Sequence, residues 1–457
     1  MTLVDQDNRW RAMTDFASIL LVVAAAGTGK TSLMAGRVAM MLAAGHHPGE
    51  ITAITFTELA ASQLAARINE TVDVLLAGEV PAFLKAVIPL GLSELQRSAL
   101  VTASTQLDEL TATTIHGFCQ AIIRSHGVEA GLDPGARIRA SAVRSGQGRV
   151  EPAHWPHREH ALCSLSGSLD QLLESYRARK RAAAILDFDD LIVHVQSLVR
   201  SHEEVRQAVG RRYRYILVDE FQDMDRIQSE ILFSIAATAE RPTHWEAARL
   251  RAGALFLVGD PKQAIYRFRG ADIEAYELCS RLIQGQNGGA VIEVTANFRS
   301  LSPIIHHVNA CFEPVFAKPS QPRYVALAPT LSDVSQPLPC VARSTIEIPT
   351  AERIYAEMFR EAEAERVADI CAALIGNLPI LRADNTHTPL KAGDIALLSP
   401  GHTELWRYER ALEQRGLAVS SQAGQTLMRR QETQDVLALV RVLAVNRRST
   451  GALTHIR

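Results

Sequence analysis

The residues of this chain best suited to chemistry are a lysine and a threonine that close a run of small residues, and an acidic pair far downstream of them. Positions 24 to 31 read Ala24, Ala25, Ala26, Gly27, Thr28, Gly29, Lys30, Thr31. Backbone N–H groups of such a loop can converge on a polyphosphate, because small side chains leave the approach open and a following helix adds the positive potential of its N-terminus. Lys30 is then expected to reach the outer phosphates, and Thr31 to set its hydroxyl on Mg²⁺. The pattern G-x-x-x-x-G-K-[ST] asks for glycine at position 24, where this chain has alanine. Asp219 and Glu220 supply the complementary parts. Mg²⁺ keeps most of its waters and takes one or two carboxylates, which suits Asp219, while Glu220 can orient or deprotonate an attacking water. The two together point to phosphoryl transfer from a nucleoside triphosphate.

Further candidates lie around these. Gln263, neutral and long, can sense a terminal phosphate. Tyr266 and Phe268 interleave with Arg267 and Arg269, flat faces beside positive charge that would stack on unpaired bases; the same alternation could be one face of a strand. Arg299 follows an apolar run, and Thr57 opens a helix. His116 stands with Gly117 at an exposed corner, where a lone histidine reads as structural. His154, His157, His160 and Cys163 are ligand types at three-residue steps, but the spacing is not that of a zinc finger and Pro152 and Pro156 break a helix there, so no metal site is assigned. Asp187, Asp189 and Asp190 read as the acidic start of a helix.

The elements that must position these groups alternate. Apolar runs at Ile19–Val23, 51–56, Tyr215–Val218 and Ala254–Val258 each pass into a helical pattern, which predicts a doubly wound, parallel α/β sheet with ligands at the carboxyl ends of its strands. Lys30, the Thr55–Phe56–Thr57 corner and the acidic pair all fall at that rim. With 457 residues and a net charge of −2, the chain has room for two or three domains and no global field to draw nucleic acid, so such binding must rest on local patches. Six cysteines without a C-x-x-C pair argue against a disulfide framework and fit reduced thiols. The apolar run at 18–26 is too short to span a membrane, and a cytoplasmic protein without membrane partners is expected. Residues 139–168 lose periodicity and read as a loop or linker. A first unit over 1–290 and a second, again strand and helix in alternation, over 291–457 are expected, the second with a strand at GDIALLSP and a last helix over 431–445.

With those blocks assembled, the chain resembles the UvrD/Rep-type superfamily 1 DNA helicases, closest to the RecB/AddA branch of double-strand-break processing. The motifs that carry the resemblance are Gln6, AAAGTGKT, TFTELAA, TIHGFC, DEFQD, GDPKQAIYRFRGAD and NFRS, in the family's order through most of residues 5–443. The resemblance implies a P-loop NTPase of RecA-like fold with helical insertions, using ATP and Mg²⁺. It implies that Gln6 holds adenine, that Lys30 and Thr31 hold phosphates and Mg²⁺, and that Asp219 and Glu220 serve the metal and the water. Gln263 and Arg299 would face the γ-phosphate; Thr57, His116, Tyr266 and Phe268 would face single-stranded DNA. It further implies 3′ to 5′ translocation on DNA in repair and recombination, with a second helicase–nuclease subunit as a candidate partner.

Two departures from the family pattern shape the expectation. The insertion between TIHGFC and DFDDL is shortened to the irregular stretch within 139–190, which predicts a weaker grip on DNA. The second RecA-like unit stops at Arg457 before motifs V and VI, which predicts slow hydrolysis and poor unwinding; the competing expectation is an ATP- and DNA-binding remnant or subunit without turnover.

Overall fold

The computed structural model describes residues 3–132, 137–138, 174–176, 178–180, 182–183, 185–238, 244–265, 273–318, 321–331, 339–346, 356–382, 386–399, 401, 404–420 and 436. The sequence readings at 139–168, including His154, His157, His160 and Cys163, and those at Tyr266 and Phe268 lie outside the described residues, as does the helix expected at 431–445 apart from residue 436.

The apolar runs become parallel strands. β1 (Ile19–Ala24), β2 (Ile51–Thr55), β3 (Thr111–Thr114), β4 (Tyr215–Val218), β5 (Leu255–Gly259) and β6 (Gly289–Val294) make one six-stranded sheet in the order β3-β2-β4-β5-β1-β6. Every neighbouring pair is parallel. Such a sheet must be covered on both faces, so its central strands are apolar throughout rather than alternating. In β1, Ile19 and Leu21 point into one core while Leu20, Val22 and Ala24 point into the other. α1 (Gln6–Thr14), α2 (Lys30–Ala43), α3 (Glu58–Leu76) and α4 (Glu94–Ser104) contribute to the second of these cores. α5 (Ile115–Ser125), α6 (Phe188–Ser201), α7 (Glu203–Arg212), α8 (Arg226–Ala236) and α9 (Ile273–Gln284) contribute to the first. The doubly wound α/β arrangement of a RecA-like domain is therefore present.

Helix starts follow local chemistry. Thr57 caps α3 by accepting the Ala60 N–H, Thr114 caps α5 through the Gly117 N–H, and Asp187 with Asp190 forms a reciprocal capping box on α6. The carboxylates of DFDD thus serve a helix start, as their spacing suggests, with the Lys180 ammonium 2.9 Å from Asp187 and 2.7 Å from Asp190.

The stretch expected to open a second unit near 291 instead completes the first. Ile292 lies opposite Val22 and Val294 opposite Ala24, because β1 needs an apolar neighbour on its open side. After Thr295 the chain enters β7 (Ala296–Leu301), which pairs in parallel with β8 (Ala328–Leu331), and α10 (Ser302–Phe316) follows with Pro303 in its first turn. The compact units are Met1–Val334 and Ser335–Arg457.

Within the second unit, α11 (Ala356–Leu374) and α12 (Leu405–Gln414) pack through Ala364, Ala368, Cys371, Ala411 and Leu412. Arg407 meets Glu361 and Glu404, and Arg415 meets Glu365 and Asp369, along the same pair. The run GDIALLSP, expected as a strand, holds a single 3₁₀ turn at Ala392–Asp394 and no ladder among the described residues. Among the described residues no helix is long and apolar enough to cross a membrane.

Candidate active site

β1 ends at Ala24, buried and paired with Val294. Because this residue is still strand, alanine fits where the loop pattern asks for glycine. The backbone needs glycine three residues later. Gly27 has a φ of +78°, and a Cβ there would come within 2.5 Å of the Asn297 side-chain nitrogen and 2.8 Å of the Arg299 Cβ. Thr28 is fully buried and its hydroxyl donates to the Ala25 carbonyl at 2.7 Å, closing the loop on itself. Lys30 and Thr31 then begin α2, so the loop N–H groups and the helix N-terminus share one opening.

The outside of this loop is strapped down by β7 and α1. Asn297 Nδ2 donates to the Ala26 carbonyl at 2.9 Å, the Phe298 N–H to the Gly27 carbonyl at 2.8 Å, and Arg9 Nη1 to the Thr28 carbonyl at 2.9 Å. Three successive loop carbonyls are thereby turned outward, which leaves the N–H side for a ligand. Arg9 is held in turn by Asp5 (Nε to Oδ1, 2.9 Å) and donates Nη2 to the Ala296 carbonyl at 3.0 Å; Asp5 Oδ2 accepts the Thr295 and Ala296 N–H groups. The Arg9 guanidinium lies 4.9 Å from the centre of the exposed Phe298 ring.

The acidic pair arrives from β4. Asp219 takes a hydrogen bond to Oδ1 from the Glu220 N–H at 2.9 Å. Glu220 has φ +49° and ψ +45°, the single non-glycine residue with positive φ among those described, a conformation that costs of order 1 kcal/mol and clusters at functional sites. Its Oε2 accepts from Lys30 Nζ at 2.6 Å and from Gln222 Nε2 at 2.8 Å. Burial, and then the charge of Glu220, push the Asp219 carboxyl up to about 6, against a smaller opposing pull from Lys30. Asp223 is likewise pushed up to about 6 by burial and by Glu220. A carboxylate so raised beside a second negative charge is a group that a divalent cation would relieve. Gln263 lies on the turn after β5, its amide donating to Asp260 Oδ2 at 2.9 Å, with Lys262 Nζ 3.1 Å from Asp260 Oδ1.

Farther along the rim, Thr55 of β2 pairs with Thr114 of β3. This brings Thr57 and His116 to neighbouring helix starts, bridged by a 2.8 Å hydrogen bond from the Thr114 hydroxyl to Glu58 Oε1. His116 packs edge-on against Phe188, with ring centres 5.4 Å apart. Burial holds its pKa below the ordinary histidine value, while Asp189, Asp225 and Glu58 pull the other way.

The structure therefore brings Lys30, Thr31, Asp219 and Glu220 to one rim, gathers Arg299 against the loop, and sets Gln263 at the end of β5. Gln6 is the half-buried first residue of α1, whose hydrogen bonds to the loop come from Arg9. Sequence reasoning missed Arg9, Gln222, Asp260, Asn297, Phe298 and Phe188. The i,i+4 spacing of Asp5 and Arg9 is a signal for the first; the others lie inside motifs whose neighbours drew the assignment.

A parallel sheet with a phosphate loop after its β1 strand and an acidic pair after a nearby strand defines a P-loop nucleotide-binding domain. The UvrD/REP helicase N-terminal domain family matches residues 5–146 and 147–284. The chain belongs to this family, whose members use a nucleotide. It is 28% identical over 322 residues to ATP-dependent DNA helicase UvrD1 of Mycobacterium tuberculosis, covering 66% of this chain and 38% of that protein. DNA helicase II of Escherichia coli is 25% identical over 334 residues, covering 67% of this chain and 40% of that protein. RecBCD enzyme subunit RecB of Mycobacterium tuberculosis is 25% identical over 483 residues, spanning 93% of this chain and 42% of that protein. The match to RecB supports the kinship with the RecB branch. The chain thus spans about two fifths of the length of these relatives.

Proposed function

We propose that this chain is an ATP-dependent motor of DNA repair and recombination that moves 3′ to 5′ on single-stranded DNA in the cytoplasm. The observation that carries the reading is the convergence of Lys30 on Glu220 at the mouth of a loop whose Ala26, Gly27 and Thr28 carbonyls are tied down from the side away from the ligand. In this reading the loop N–H groups of Ala25 to Gly29 and the Lys30 ammonium bind the β- and γ-phosphates of ATP. Gln6 and the Phe298 ring lie toward the base, and Gln263 and Arg299 toward the γ-phosphate. Thr31 and Asp219 would hold Mg²⁺, which when bound supplies positive charge against the phosphate oxygens. Glu220 orients a water in line with the γ-phosphorus. The water oxygen bonds to phosphorus, its proton passes to the Glu220 carboxylate, and the bond from phosphorus to the ADP oxygen breaks.

DNA lies along the other part of the rim in this proposal, against Thr57, His116 and Phe188; Tyr266 and Phe268 would face it as the family resemblance implies. The exposed Phe188 ring beside His116 is the base-stacking group in this reading. Kinship with a RecBCD subunit extends the proposal to a second helicase–nuclease subunit as partner, and to double-stranded DNA as the substrate being opened.

The test is ATP hydrolysis by the purified 457-residue chain with and without single-stranded oligonucleotide, beside Glu220→Gln. Stimulation by DNA that disappears in E220Q supports a motor. ATP and DNA binding without turnover in the wild type would replace it with a nucleotide-gated DNA-binding subunit.

A further inference from the structure

Gln222 is 2% exposed and its carboxamide is spent at both ends. Nε2 donates to Glu220 Oε2 at 2.8 Å, and Oε1 accepts the Asp260 N–H at 2.9 Å. Asp260, itself 2% exposed, accepts the Gln263 amide at 2.9 Å and is 3.1 Å from the Lys262 ammonium. An unbroken polar chain therefore runs Lys30, Glu220, Gln222, Asp260, Gln263, crossing from the end of β4 to the end of β5. The approach is close enough to dictate backbone sequence: a Cβ on Gly259 would meet Gln222 Oε1 at 2.8 Å and the Gln222 backbone nitrogen at 3.2 Å. A carboxamide is the side chain that satisfies this place. It gives a hydrogen to a carboxylate on one side and accepts a backbone hydrogen on the other; no apolar group does either, and a carboxylate would meet Glu220 with like charge.

We propose that Gln222 is a positioning residue that sets the Glu220 carboxylate for water activation and locks it to the Asp260–Gln263 turn, so that base and phosphate-facing glutamine are placed as one unit. The inference rests on the nucleotide reading above and deepens it. Gln222 reaches no phosphate in this scheme. It acts through Glu220, which needs a second anchor because its other partner, Lys30, is the group a triphosphate would claim. The hydrogen bond from Gln222 is the anchor that phosphate binding leaves intact.

Two variants separate positioning from packing. Gln222→Met fills similar volume and removes both hydrogen bonds; Gln222→Glu keeps an acceptor for the Asp260 N–H and turns the other oxygen against Glu220. Binding of MgADP, which does not engage the water, and of MgADP with aluminium fluoride, which mimics the in-line transition state, is measured by titration calorimetry. Backbone hydrogen exchange over residues 259–263 is followed in parallel. Both variants should bind MgADP within about twofold of wild type and lose about tenfold to a hundredfold toward the aluminium fluoride complex. Exchange at Asp260 should rise in Q222M and stay slow in Q222E. Equal losses toward both ligands, no loss toward either, or unchanged exchange in Q222M would overturn the assignment. A wild-type chain that binds neither ligand overturns the nucleotide reading itself and this inference with it, an outcome distinct from any of the variant results.

Discussion

At the Lys30 end of the sheet rim polar side chains are linked into one another, whereas at the Thr57–His116 end they serve mainly the starts of their helices. Between β1, β4, β5 and β7, Lys30, Glu220, Gln222, Asp260 and Gln263 form one hydrogen-bonded chain, and Asn297, Phe298 and Arg9 hold the loop from behind. Between β2 and β3, Thr57 caps α3, Thr114 reaches Glu58, and Phe188 leaves 44% of its surface in solvent beside His116. A preorganised, low-dielectric cluster suits charge that develops at one point; an open aromatic face suits a ligand that slides past. The difference predicts that substitutions at one end leave the other end's ligand nearly untouched.

The largest effect belongs to Lys30→Ala. Losing charge-assisted hydrogen bonds to phosphate should weaken nucleotide binding by about two to three orders of magnitude. Single-stranded DNA affinity, measured by fluorescence anisotropy without nucleotide, should stay within about threefold. Equal loss of both ligands would erase the distinction between the two ends.

Next comes Asp219→Asn, whose effect is on stability and has the opposite sign from its effect on function. The folded chain holds the Asp219 proton up to about 6, because burial and Glu220 disfavour the anion. The unfolded chain releases it in the ordinary carboxyl range near pH 4. Protonation therefore favours the folded state most fully at low pH, and that support is lost as pH rises through about 6. At pH 8 the buried anion should cost roughly 3 kcal/mol. D219N should raise urea stability by up to that amount at pH 8, and the gain should shrink steadily as pH falls toward about 4. A variant that is less stable than wild type at pH 8 would contradict this account.

Phe188→Ala tests the open end. It should lower single-stranded DNA affinity by about fivefold to thirtyfold, as expected for one lost stacking face, and leave nucleotide affinity within about twofold. Tryptophan at the same position should restore binding. No change in DNA affinity would remove Phe188 from the DNA-facing surface.

Most of the Lys30 end was legible in the sequence, because its chemistry is local. A strand must empty into a loop of small residues, and Lys30 must follow that loop directly, so spacing alone reveals them. Asp219 and Glu220 were legible for the same reason. The relay through Gln222 was not, since its partner Asp260 is distant in sequence and only the adjacency of β4 and β5 brings them together. Asn297 was hidden likewise, because it acts on a backbone carbonyl of the loop and a carbonyl leaves no trace in residue type, whereas Arg9 showed only its i,i+4 spacing from Asp5. The start of the second unit was misplaced because an apolar strand looks the same whether it opens a new sheet or closes an old one. Phe188 was masked by its neighbours, whose capping geometry accounts for the acidic cluster and draws attention from the ring.

Thr57 gives the smallest effect and the sharpest division between the two roles a rim residue can have. Its oxygen accepts the Ala60 N–H at 3.1 Å, and in the proposed DNA path its hydroxyl hydrogen would serve as a donor to a phosphate. Thr57→Ala removes both and should cost about 1 kcal/mol of stability through the lost cap, with DNA affinity falling by less than about threefold. Thr57→Asp keeps the cap and replaces the donor with a negative charge, so thermal melting should return to the wild-type value while DNA binding drops further than in T57A. Thr57→Ser keeps cap and donor and should match wild type in both measurements. If T57D binds DNA as well as wild type does, the phosphate backbone does not pass this helix start, and Thr57 leaves the proposed DNA-facing surface.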